Sequence, residues 1–245
     1  MIEDFTKYVS NYDLSDANIK RKYDHSIRVM NLAEKYAKKL RFNKEDIEIA
    51  KIIGLLHDIG RFEQYKRYKT YDDLKSIDHA DYGVHELFDN NLINKFNINK
   101  DYYDIIHYSI KNHNKLIVNK TNNKVFIKHS NLIRDIDKID LLYTFSTIKK
   151  FKIDNSIISD KVIEDIMNHK QVDRKHVKTN NERIVVKFGF VFDINNNICL
   201  KELKSNLKKY YLSLNDKNNI FKNIYDETIK YIDEKLLTNI KGKWL

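Results

Sequence analysis

Helix signals recur along this chain and strand signals are scarce, because apolar residues fall at spacings of three and four. Ser15 can cap a long helix running to about Leu40, with Ile19, Tyr23, Ile27, Met30, Ala33 and Ala37 on one stripe. His25 lies on the adjoining line with Val29, Leu32 and Tyr36, and so faces inward if the stripe is wide. Asn43 followed by Asp46 resembles a capping pair that opens the next helix. There Ile49, Ile52, Ile53, Leu55 and Leu56 leave little polar face, which predicts a central, buried helix. It closes in Gly54-Leu55-Leu56-His57-Asp58-Ile59-Gly60-Arg61, with Gly60 placed to end it.

Residues 61–77 are charged and aromatic without a clean period, which predicts a long loop whose aromatics, Phe62 to Tyr71, are candidates to stack on a nucleobase. Asp78 then caps a helix from His79 to about Asn90, with His79, Gly83 and Leu87 on one face. A further helix spans Asp101 to His113, a polar connector runs to Lys124, and the next helix covers Val125 to about Lys149. Residues 150–183 are polar and basic, with one weak helix around Lys161–His169. The apolar, aromatic run Ile184–Phe192 fits strand or helix equally, and two amphipathic helices follow at about 200–214 and 217–239. With no internal repeat and no Pro/Gly-rich linker, the expectation is one all-α domain: a helical core over 1–149 and a C-terminal helical extension, 150–245, packed on it.

Composition narrows the class. Hydrophobic residues make up 42% and charged residues 33% of the 245 positions, as in a soluble globular protein. No apolar run approaches the roughly 20 residues that span a bilayer. The N-terminus carries acidic residues where a secretory signal has positive charge, and Cys199 is the single cysteine, so a reducing cytoplasm is the expected location. The net charge of +10 favours acidic partners, but abundant Lys, Asn, Ile and Tyr with no Pro and only 5 Gly also fit a genome-wide bias. Nucleic acid therefore stands as a less favoured partner, and the oligomeric state is open.

The candidate chemistry lies in four ionisable residues on or beside apolar faces, where unpaired charges are rare: His25, the pair His57-Asp58, and Asp137 in Arg134-Asp-Ile-Asp-Lys-Ile-Asp140. Two imidazoles and two carboxylates suit an open, octahedral divalent cation such as Mn, Fe, Co, Ni or Mg better than a closed structural zinc site.

In order and setting these residues resemble the HD-domain metal-dependent phosphohydrolases, whose pattern is a histidine, a His-Asp pair and a distal aspartate on a helical bundle. The resemblance covers about Tyr23 to Tyr143 and implies an HD-like bundle with an additional C-terminal helical region. It implies a hydrolase that cleaves a phosphoester or phosphoanhydride, in a nucleotide or other small phosphate ester, through metal-activated water. The distal aspartate usually precedes a basic residue, which selects Asp137, followed by Lys138, over Asp135 and Asp140. His79 and His113 fall where the binuclear branch places extra ligands, so one or two ions are expected, with Asp58 as the shared bridge. The cyclic-dinucleotide subgroup is disfavoured, since its Gly-Tyr-Pro signature is missing and His113 stands alone where a His-His pair is expected. Arg61, Lys138 and Lys22 are the candidate cations for phosphoryl oxygens, with Asp58, Lys138 and Arg61 the catalytic candidates. The competing reading is a metal-stabilised nucleotide- or RNA-binding sensor without turnover, served by the basic stretch 170–183.

Overall fold

The computed structural model describes residues 1–148 and 151–241. Lys149 and Lys150, at the expected end of one helix and start of the extension, and residues 242–245 lie outside the described residues. The helices are α1 (Ile2–Val9), α2 (Ala17–Lys39), α3 (Lys44–Leu56), α4 (Gly60–Tyr68), α5 (His79–Val84) and α6 (Tyr103–Asn112), followed by α7 (Lys124–Thr147), α8 (Asp160–Met167), α9 (Asn180–Phe188), α10 (Asn197–Leu214) and α11 (Lys222–Lys241). Short 3-10 and π turns join several of them, and no strand occurs among the described residues. The all-α expectation, with extra C-terminal helices, therefore holds. Contacts gather into two compact units, 1–136 and 137 onward, with the boundary inside α7.

In the first unit α2 starts one residue later than the sequence suggested. Asp16 accepts the Asn18 N–H at 2.8 Å and is the cap, while the Ser15 hydroxyl donates to Asp13 instead. Asn43 caps α3 as expected, accepting the Asp46 N–H at 2.7 Å. The two helices meet at Gly54, where a Cβ would stand 2.9 Å from Met30 Cα and 3.0 Å from the Val29 carbonyl oxygen. Val29, Ala33, Tyr36, Leu55 and Leu56 around this crossing are wholly buried, which fixes His25 opposite the end of α3.

The stretch read as a loop is half helix. Phe62, Gln64 and Arg61 all turn inward from α4, and two buried polar residues hide the period that an apolar count looks for. Phe62 is fully buried and packs edge-on against Phe5 at 5.9 Å, so it is core and not a platform for a base. The helix after Asp78 is also shorter than expected, because α5 gives way to a π turn over His85–Asp89.

In the second unit α8 to α11 surround Phe188, Leu203, Leu207, Tyr210 and Phe221, all wholly buried. The undecided segment 184–192 is helical. Thr179 and Glu182 form a reciprocal capping box that starts α9, and a 3-10 turn continues from Gly189 to Asp193. The Glu182 carboxylate accepts N–H groups from Ser159, Lys178 and Thr179 at 3.0, 2.7 and 2.9 Å. Burial would raise its pKa, but these donors bring it from 4.5 down to about 2.

Two outcomes follow. Gly54→Ala gains helix propensity of about 1 kcal/mol but forces two backbones apart, so a net loss of about 1–2 kcal/mol is expected in thermal or urea unfolding. Because its folded pKa is depressed, Glu182 contributes stability that is fully present above pH 4.5 and is lost as pH falls through about 2. Glu182→Gln should therefore be about 1–3 kcal/mol less stable at neutral pH, with the gap to wild type closing in urea titrations between pH 5 and 2.

Candidate metal centre

The His57-Asp58 pair lies at a corner. The last hydrogen bond of α3 runs from the His57 N–H to the Ile53 carbonyl, and Gly60 opens α4 instead of ending α3. Among the described residues no glycine has a positive φ, so a left-handed cap is not why Gly60 is needed. A Cβ there would stand 2.2 Å from the His79 carbonyl oxygen and 2.8 Å from Gly83 N, so the glycine lets α5 press onto the corner. This close approach brings His79 beside Asp58. His113 arrives from the C-terminal end of α6, where Arg134 of α7 holds the chain by donating to the carbonyls of Asn112 at 2.6 Å, His113 at 3.3 Å and Lys115 at 2.8 Å.

The result is a carboxylate enclosed by four imidazoles. Asp58 is 3% exposed, and each of its oxygens faces a histidine pair. Oδ2 is 3.4 Å from His25 Nε2 and 3.6 Å from His57 Nε2. Oδ1 is 3.2 Å from His79 Nε2 and 3.6 Å from His113 Nε2. Within the pairs the Nε2 atoms are 3.3 Å apart for His25 and His57, and 3.0 Å apart for His79 and His113. His25–His57–Asp58 and Asp58–His79–His113 thus each gather three donor atoms within 4.8 Å, with all five residues buried.

Hydrogen bonds assign the tautomers. Nδ1 of His57 donates to the Gly54 carbonyl at 2.9 Å, and Nδ1 of His113 to the Ile110 carbonyl at 2.7 Å. Nδ1 of His79 meets the Asp73 carboxylate at 2.8 Å. In their neutral forms all three therefore present Nε2 lone pairs inward, the form that binds metal. Burial lowers the His113 pKa to about 4, which keeps it neutral at neutral pH. Two Nε2 lone pairs 3.0 Å apart repel unless a proton or a cation lies near both, so the donor set fits a divalent ion. Burial would raise the Asp58 carboxyl, yet the Lys22 ammonium and the surrounding imidazoles hold it well below the usual carboxylate range. Asp73 is likewise lowered, as His79 and Arg61 outweigh its burial.

The HD domain family profile matches residues 23–142, the span that carries all of these side chains. Residues 23–142 are an HD domain of the HD superfamily. Its members are metal-dependent phosphohydrolases, and the buried His/Asp groups of this HD domain form candidate divalent-metal sites. No curated protein and no solved structure matches the chain significantly.

Of the six expected ligands, the HD domain brings His25, His57, Asp58, His79 and His113 together around one carboxylate. Asp137 is half-buried on unbroken α7, one turn beyond Arg134. The expected cations divide. Lys22 is beside the centre, with Nζ 2.5 Å from Asp58 Oδ2. Arg61 is a strut: its Nη1 donates to Gln64, the Tyr71 carbonyl and Asp73 at 2.8, 2.7 and 2.7 Å, and only its Nε looks toward Asp58 Oδ1, at 3.5 Å. Lys138 is 6% exposed and pairs with Asp193 at 2.5 Å, so its expected role at a phosphoryl group is not supported. Asp140 accepts from Thr144 one turn along its own helix.

Sequence reading missed Asp73, Gln64, Asn114 and Arg134. Of these only Arg134, a cation inside an apolar helical stripe, carried a signal. Gly60→Ala should displace the start of α5, with an expected cost of about 1–3 kcal/mol in chemical denaturation. It should disturb the His79–His113 pair before the His25–His57 pair, a difference visible in histidine side-chain NMR shifts.

Proposed function

We propose that this chain is a phosphohydrolase with a binuclear divalent-metal centre, acting on a small phosphate ester, with nucleotides the favoured class. The observation that carries the reading is Asp58, whose two oxygens face separate histidine pairs, the disposition of a bridging carboxylate. His25 and His57 would hold one ion and His79 and His113 the other, with Asp58 shared. Asp137 would complete the set, a role supported by its place one turn from Arg134, which binds the backbone of His113.

Such ions supply Lewis acidity, lowering the pKa of water toward neutrality and polarising a phosphoryl oxygen. The chain's own residues supply the rest. Asp58 stays ionised, and the anchored imidazoles keep their Nε2 atoms aimed inward without reorganisation when substrate arrives. Lys22, 12% exposed at its side chain, is the cation best placed to offset charge on the phosphoryl oxygens. Arg21 and Lys22 lie 6.0 and 5.5 Å from the Tyr71 ring centre, which keeps positive charge gathered on that flank. Arg61 is assigned to holding the site, and Lys138 is given no role in it.

The decisive measurement is phosphate release from a panel of nucleotides and simple phosphate esters with Mn supplied. Turnover of at least one member is expected, reduced about a thousandfold in Asp58→Asn, which corresponds to losing about 4 kcal/mol of transition-state stabilisation. Exposed His85→Ala should leave it unchanged. Mn at a hundred times its Kd should also stabilise the wild type by about 2.7 kcal/mol for each ion bound, and His57→Ala should lose most of the share that comes from the His25–His57 ion. Absence of release across the panel, with salt-dependent retention of RNA, would replace the hydrolase with a binding protein.

A further inference from the structure

Behind His79 lies a polar lattice that the reaction itself does not call for, centred on Asp73. Its Oδ2 receives His79 Nδ1 at 2.8 Å, and its Oδ1 lies 3.0 Å from the same nitrogen. Arg61 Nη1 and Gln64 Nε2 donate to Oδ1 at 2.7 and 2.8 Å, and Asn114 Nδ2 reaches Oδ2 at 3.3 Å. Gln64, wholly buried, also donates to Ser76 Oγ and the Ile77 carbonyl at 2.9 Å each, so α4 clamps the loop that carries Asp73. The anchors of the imidazoles differ in kind. His57 and His113 lean on carbonyls of their own helices, whereas His79 leans on a carboxylate from a separate segment. A carboxylate behind a ligating imidazole fixes its ring and raises its basicity, and removing such a partner typically costs 10–100-fold in metal affinity.

Asp73, Asp78 and His79 also gather donor atoms within 4.8 Å of one another, which invites a third ion. Their partners argue against it. Both Asp73 oxygens already accept from cations or N–H donors, and His79 turns its Nδ1 proton that way. Asp78 caps α5 through the Ala80 and Asp81 N–H groups and pairs with Lys115 at 2.7 Å. The cluster is a brace, not a cage.

We infer that Asp73 is a positioning residue for the His79–His113 half of the centre, so that the loop over residues 69–78 sets that half's ion affinity separately from the His25–His57 half. This rests on the two-ion reading above. The test is Mn(II) titration of the full chain followed by EPR, which counts bound ions and distinguishes a spin-coupled pair from an isolated one. The wild type should bind two ions. Asp73→Ala should keep the first and hold the second about 10–100-fold more weakly, losing the coupled signal at Mn levels that saturate the wild type. Asp73→Asn, which keeps an acceptor for Nδ1 without the charge, should fall between them, and it carries the test if the alanine variant does not fold. Two ions held with wild-type affinity in the variants overturn the inference while leaving the two-ion centre intact. Equal weakening of both ions overturns it in favour of a packing role. A third wild-type ion lost with Asp73 overturns it by making Asp73 a ligand. A wild type that binds a single ion overturns the two-ion reading and this inference together.

Discussion

One buried carboxylate sets the terms for everything around it. Asp58 is kept ionised in a place where a charge is costly, and what offsets the cost is a shell of imidazoles and one ammonium converging from α2, α3, α5 and the end of α6. Those imidazoles are themselves committed, since three of them use Nδ1 to hold a carbonyl or a carboxylate. Few of the atoms can relax without exposing another to an unmade bond. Each of these three imidazoles has one nitrogen, Nε2, left with which to act.

Reaching that density of donors requires backbones to come closer than side chains normally allow. Gly54 lets α2 and α3 touch, and Gly60 lets α5 rest on the corner between α3 and α4. With only 5 glycines in 245 residues, two are spent on bringing His25 and His79 to the same carboxylate. Arg134 does the equivalent work by charge, binding three carbonyls where α6 ends and His113 begins. A helix C-terminus is a natural seat for a cation, and here that seat also holds a candidate ligand in place.

The helices were legible because burial follows spacing: Ile19, Met30, Ala33 and Ala37 on α2, and Ile49, Ile52, Ile53, Leu55 and Leu56 on α3, lie inside as their period requires. The errors have local causes. Ser15 lost the cap to Asp16 because Asp13 took its hydroxyl, and α4 looked like a loop because it buries Arg61 and Gln64 beside Phe62. The candidate ligands near the corner could be picked out by their apolar surroundings, and His79 and His113 by their order along the chain. Asp73 could not, since its importance comes from a lattice joining α4, a loop and α5, and no spacing in one segment encodes that. Lys138, chosen for its place beside Asp137, pairs with Asp193. Neighbours on a helix point about 100° apart, so a cation next to an aspartate in sequence does not share its direction.

The grip of Arg134 on the end of α6 has a consequence for how this protein can change over time. Because α7 runs unbroken from Lys124 to Thr147, Arg134 acts as an index mark that sets the rotational phase of every later residue on that helix. Substitutions at Asp135 or Ile136 alter one side chain, whereas a single inserted or deleted residue there turns all that follows by about 100° and shifts it by about 1.5 Å. The span from Arg134 to Asp137 is therefore constrained in length independently of the residues that fill it.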